Sequence, residues 1–190
     1  MDNWLTILAT LAGGAAALFG TVIAHALSTR EERRRANSTE RRDAYVAYLV
    51  ALDAAFGKVR HLADPSESPE DLEQGIQRAF GDAGVYRNRE RLLLAGNPKV
   101  LSPAEEVLRR LAAFRDAVRG GVKRRTVAYH DAYHPYAEAL WDLRRAIRQD
   151  LGSEDLTLAD LERETWDTRS NCAFCRAHAG AVPAQPSATA

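Results

Sequence analysis

Hydrophobic positions fall into two unlike regimes along the chain. From Asn3 to Thr29 the run WLTILATLAGGAAALFGTVIAHALS carries no Asp, Glu, Lys or Arg. Its length covers the ~20 residues that a bilayer-spanning helix needs. Leu5, Ile7, Leu8 and Leu11 on one side and Leu18, Phe19, Val22 and Ile23 on the other flank a weakly apolar middle of Gly and Ala. The expectation is a transmembrane anchor over residues 1–29. A cleaved secretory signal is the competing reading, because Ala24-His25-Ala26 has the small-x-small form of a cleavage site. Met1-Asp2-Asn3 supplies no positive charge in front of the run, however, and the run exceeds the usual length of a signal core.

Beyond residue 38 the pattern turns amphipathic. Tyr45, Tyr48, Leu49, Leu52, Phe56, Val59 and Leu62 follow the three-and-four spacing of one helix face, which Asp64-Pro65 ends. Ser68-Pro69-Glu70-Asp71 then reads as a cap, a first-turn proline and early acids that favour the helix dipole. Leu72, Ile76, Ala79, Phe80, Ala83, Tyr86 and Leu93 form the next face, with a kink or break expected near Gly81 and Gly84. Ala95-Gly96-Asn97-Pro98 stops that helix. Ser102-Pro103-Ala104-Glu105 has capping-box spacing and predicts the start of a third, lined by Val107, Leu108, Leu111, Phe114 and Val118 and ended by Gly120-Gly121. Residues 122–133 are ambiguous. From Pro135, the residues Tyr136, Ala137, Leu140, Leu143, Ile147 and Leu151 trace a fourth helix to Gly152, and Thr157 caps a short one over Leu158–Glu164.

No stretch alternates with period two, so the chain is expected to be all-α. The predicted layout is one N-terminal transmembrane helix, then an antiparallel four-helix bundle, then a disordered C-terminal tail. Its segments are the anchor 1–29, a basic juxtamembrane stretch 30–37, the bundle 38–152, a short helix with a CxxCxxH segment over 153–178, and the tail 179–190, whose AVPAQPSATA composition buries too little to order itself.

Charge adds orientation. Arg30, Arg33, Arg34, Arg35, Arg41 and Arg42 follow the apolar run while only Asp2 precedes it, which predicts an N-terminus outside and a cytoplasmic bundle in the cell membrane. Trp4 is expected at the outer interface, and Arg30, Arg33, Arg34 and Arg35 at the inner one, as a plain stop-transfer flank, with contact to anionic headgroups, diluted by Glu31, Glu32 and Glu40, as the further reading. Ala12, Ala16, Gly20 and Ala24 recur every four residues and offer a stripe for a second copy of the anchor; Ala9, Gly13 and Ala17 make another. Over all 190 residues, 26 basic and 26 acidic side chains cancel, which disfavours a nucleic-acid partner.

Candidate chemistry is sparse. Cys172-Ala-Phe-Cys175-Arg-Ala-His178 places two thiols and an imidazole at spacings that suit a metal ion, with no fourth ligand evident in sequence. Two incidental cysteines in a flexible segment are the plainer reading, and a redox pair the third. His130, His134 and Glu138 stand four apart, but Pro135 is expected to begin a helix with His134 at its cap, which takes His130 off the face. His25 near the end of the anchor can reach the interface, and His61 lies near a helix end. Phosphate-binding loops, dinucleotide fingerprints, zinc-protease motifs and nucleophile elbows are absent. The chain is therefore expected to be no enzyme and to hold no cofactor. It would act through an unidentified protein partner, as an interaction or assembly subunit. The alternative is a membrane-tethered metal or redox sensor built on Cys172, Cys175 and His178.

The uncharged helix, its arginine flank and the segments ERRDAYVAYLVAL, RLLLAGNPKVLSPAEEVLRRL and LRRAIRQDLG make a layout that resembles the small membrane-anchored helical proteins of actinobacteria. The resemblance covers most of residues 3–152. Some members of that group, though not most, are described as plasmid-spread proteins of the KilB type, so it implies a part in plasmid spread or in a membrane-associated complex. It assigns no site residue.

Overall fold

The computed structural model describes residues 3–64, 69–157, 160, 169–170 and 172–178; side chains of 3–24, 26–27 and 69 fall outside that description. Among the described residues there is no strand, and six helices follow one another: α1 (Asn3–Leu62), α2 (Pro69–Asp82), α3 (Val85–Ala95), α4 (Pro98–Arg119), α5 (Val127–Asp150) and α6 (Ala173–Ala177). The chain divides into two compact units, Met1–Glu40 and Arg41–Ala190. In the first, Arg30, Arg33, Arg34 and Arg35 are exposed, and the surface pair Arg35–Glu31 (3.1 Å) is a one-turn contact worth a few tenths of a kcal/mol.

The second unit is the bundle. The face of α1 predicted from spacing is the buried one: Tyr45, Tyr48, Leu52, Val59 and Leu62, with Ala51 and Ala55 between them and Ala44 and Ala63 at either end. Each large side chain removed from water there contributes about 1.5–3 kcal/mol of burial. Partner pairs fix the helix directions. The Tyr48 hydroxyl donates to the Ala104 carbonyl (3.1 Å) and Phe56 meets Phe114 (5.5 Å between ring centres), so α1 and α4 run parallel. Arg89 pairs with Glu105, Arg115 caps the Phe80 ring, and Arg119 pairs with Glu73, so α2 and α3 descend against α4. Tyr45 meets Asp150 and Phe56 meets Tyr136, so α5 descends against α1. The order is up, down, up, down. A glycine lets α2 come close to α1: a Cβ on Gly75 would stand 2.6 Å from Leu62 Cδ2.

Several expectations need correction. The first predicted bundle helix does not begin afresh at residue 38; α1 runs unbroken from Asn3 through Leu62, because nothing between 30 and 40 is a breaker and Arg, Glu and Ala there are good helix formers. Among the described residues no helix is long and apolar enough to cross a membrane, so the predicted anchor gains no support, and the side chains on which it rests (Trp4, Ala12, Ala16, Gly20, Ala24) lie outside the described set. The break near Gly84 occurs, with Gly84 at φ +67°, a left-handed conformation that suits glycine. It resets the helix phase, so Val85 and Leu92 turn inward in place of the predicted Tyr86 and Leu93.

Both proline-based starts are also earlier than predicted. The α4 helix begins at Pro98, where the Asn97 side chain accepts from the Lys99 N–H (3.0 Å), and passes through Pro103. The extra turn buries Val100, which offsets the lost backbone bond at Pro103. Likewise α5 begins at Val127, capped by Thr126 accepting from the Tyr129 N–H (3.2 Å), and passes through Pro135, because that extension buries Tyr129 edge-on against Phe114 (5.2 Å). The ambiguous residues 122–133 thus become a turn and the first two turns of α5. Of the predicted helix over Leu158–Glu164 only Asp160 is described, its N–H donating to the Thr157 hydroxyl oxygen (3.3 Å), and the tail 179–190 lies outside the described residues.

Candidate metal centre

The continuity of α5 through Pro135 has a chemical consequence. His130 and His134, one turn apart, now share a face and project toward α6. The predicted capping role of His134 is overturned, since its ring is buried at 3% exposure. Glu138 does not join them: eight residues of helix rotate it about 80° from His130. It is exposed, and it lines a separate cleft of about 440 Å³ with Pro103, Glu106, Arg110, Pro135 and Asp142.

From the other side comes the CxxC segment. Cys172 stands at the N-cap of α6 and Cys175 within its first turn, both buried and both free thiols. The Cys172 sulfur is 3.5 Å from His130 Nδ1, and the Cys175 sulfur 3.4 Å from His134 Nε2. All four ligand atoms lie within 4.8 Å of one another. The fourth ligand missing from sequence, and a third better placed than His178, are the two histidines some 40 residues upstream. The expected ligand His178 is replaced: its ring stacks on Phe174 (4.2 Å), and its Nδ1 lies 2.8 Å from the Phe174 carbonyl oxygen, on the exposed side.

Surrounding groups hold the rings. Phe174 lies flat between His130 (4.3 Å, 9° between planes) and His178, and Arg169 pairs with Asp131 (2.8 Å), tying the segment before α6 to α5. Burial, then the neighbouring His134, holds His130 below the usual histidine range, which keeps its imidazole neutral and able to donate a lone pair. Burial, then the Cys172 sulfur beside it, pushes the Cys175 thiol up. Two thiolates this close repel in a dry site, a penalty that a cation between them removes. A neighbouring cleft of about 290 Å³, lined by Phe56, Arg60, Arg124, Tyr129, His130 and Tyr133, opens beside His130 and gives the cluster an approach from solvent.

The remaining histidines are elsewhere. His25 is exposed, and its carbonyl accepts from the Thr29 hydroxyl (2.9 Å); His61 is exposed, 3.9 Å from Asp64.

Fold and site together define a class: a helical bundle bearing a closed cluster of two imidazoles and two sulfurs. No family model matches the chain, and no curated protein or solved structure does.

Proposed function

We propose that this is a single-pass membrane-anchored protein whose cytoplasmic bundle acts without catalysis, as an interaction or assembly subunit. The observation that carries the reading is that one helix, α1, contains the uncharged stretch 3–29, the arginine-rich stretch after it, and the face that builds the bundle core. Val46 and Val50, one turn apart on α1, and Leu94 on α3 leave large apolar side chains exposed (54%, 63% and 90%), which suits contact with a protein partner. The stripe Ala12, Ala16, Gly20 and Ala24 suits a second copy of the anchor. The resemblance to small membrane-anchored helical proteins, some of them of the KilB type, suits plasmid spread or a membrane-associated complex as the setting.

A sensor is the rival reading, favoured by the convergence of His130, His134, Cys172 and Cys175. Four protein ligands close the coordination, which suits a metal that holds structure better than one that is exchanged or does chemistry.

Topology tests the proposal. A reporter active only in the cytoplasm, fused after Ala190, should work, and an exported reporter in the same place should fail. The reverse, or a mature chain beginning at Leu27, overturns it. In intact membranes, cross-linking should give adducts larger than the chain, which Val46→Lys with Val50→Lys diminishes.

A further inference from the structure

We propose that His130, His134, Cys172 and Cys175 bind one zinc ion, and that the ion clasps residues 169–178 onto the first turns of α5. The argument begins with the donor set. Two thiolates and two imidazoles in tetrahedral array select zinc among common divalent ions, because calcium and magnesium prefer oxygen donors. The two paired spacings, H-x3-H on a helix and C-x2-C at a helix start, each put both donors on one side of their segment.

Geometry narrows it further. Zinc–sulfur bonds of about 2.3 Å and zinc–nitrogen bonds of about 2.0–2.1 Å at the tetrahedral angle set sulfur and nitrogen about 3.6 Å apart. The two sulfur–nitrogen separations in the structure are 3.5 and 3.4 Å. Thiol-to-imidazole hydrogen bonds account for each pair taken singly, but not for the approach of the two pairs to each other. All four donor atoms fit within 4.8 Å, and beyond the weak contact of the Cys172 and Cys175 sulfurs a single shared ion bonds all four at once.

A second observation is independent of the donors. With five residues, α6 is far shorter than a helix that holds itself in water. Among the described residues, its attachments to α5 include the two cysteines, the Phe174 ring on His130, and the nearby Arg169–Asp131 pair, which is exposed and weak. An ion bonded to both segments supplies what these contacts lack. Phe174 packed flat on His130 holds that ring in the ligating orientation, a role that groups behind metal ligands commonly play.

The test uses the full chain, purified in detergent under reducing conditions, with zinc measured per chain and cobalt(II) as a spectroscopic substitute. Wild type and His178→Ala should each carry one zinc, and cobalt should give the visible bands of a tetrahedral thiolate site. His130→Ala and Cys172→Ser should lose both signals while helicity by circular dichroism stays at the wild-type level; His130 is only half-buried, so its loss spares the core. Chelation should open residues 169–178 to protease while the bundle stays helical. Reduced wild-type protein that takes up neither zinc nor cobalt overturns the site. Zinc lost in His178→Ala but kept in His130→Ala overturns this ligand set. Zinc bound with 169–178 equally protected after chelation overturns the clasp.

Discussion

The two ends of the bundle close by opposite means. At the Arg41 end, α1, the start of α4 and the end of α5 meet through a chain of hydrogen bonds. The Asn97 N–H donates to the Tyr45 oxygen (3.0 Å), the Tyr45 hydroxyl to Asp150 Oδ2 (2.7 Å), and the Asn97 amide to Asp150 Oδ1 (2.6 Å). Arg41 Nε stands 3.6 Å from the same carboxylate, whose side chain is only 7% exposed. At the His130 end, rings take over: Phe56, Phe114, Tyr129 and Tyr133 pack on one another, and beyond them the histidines face sulfur. The difference lies in how each end fails. A buried polar network is stable only while every member has its partner, whereas an aromatic cluster loses stability in proportion to the atoms removed.

The largest expected effect belongs to the aromatic end. Phe114→Ala removes a fully buried ring that touches Phe56 and Tyr129, and should cost about 3–5 kcal/mol in denaturant unfolding of the bundle. Asp150→Ala at the other end should cost about 3 kcal/mol, because it strands the Tyr45 hydroxyl, the Asn97 amide and Arg41 together. A loss under 1 kcal/mol would show that the Arg41 end is wetter than its burial implies. Tyr45→Phe should cost about 1 kcal/mol, since it removes one hydroxyl that both donates and accepts.

Alkaline titration probes the Arg41 end in another way. Burial first, with Asp150 adding to it, raises the Tyr45 pKa from the usual 10.0 to about 12, so the unfolded chain gives up this proton before the folded one does. Its contribution is therefore fully present below pH 10 and is lost as pH rises toward 12. Burial also raises Tyr48 and Tyr136. Melting temperature should thus fall above pH 10, less steeply in Tyr45→Phe than in wild type, and equal slopes would show that Tyr45 does not titrate with folding. The smallest effects should come from exposed groups: Arg109→Gln, which breaks a one-turn pair with Glu106, and His178→Ala should each stay within about 0.5 kcal/mol of wild type.

Much of the helical layout was legible in residue order, because it depends on local rules. Apolar spacing marked the inner faces of α1, α4 and α5, Gly120-Gly121 and Gly152 marked helix ends, and Gly84 marked the break between α2 and α3. Where prediction slipped, a local rule lost to burial beyond its reach. Pro103 and Pro135 each cost one backbone bond, but the burial of Val100 and Tyr129 in the added turns recovers it. The same slip hid the cluster. Placing Pro135 at a helix start separated His130 from His134 and left Cys172 and Cys175 short of ligands, so His178, nearest in sequence, stood in for them.

By itself, then, the sequence determined the helices and the nature of the donors, because periodicity, caps and side-chain chemistry belong to a few neighbouring residues. Only the tertiary structure decided which donors meet. His130 lies 42 residues from Cys172 and His134 lies 41 from Cys175, and bringing such distant groups to 3.5 and 3.4 Å depends on how α5 and the segment after it pack together, which no spacing rule along the chain encodes.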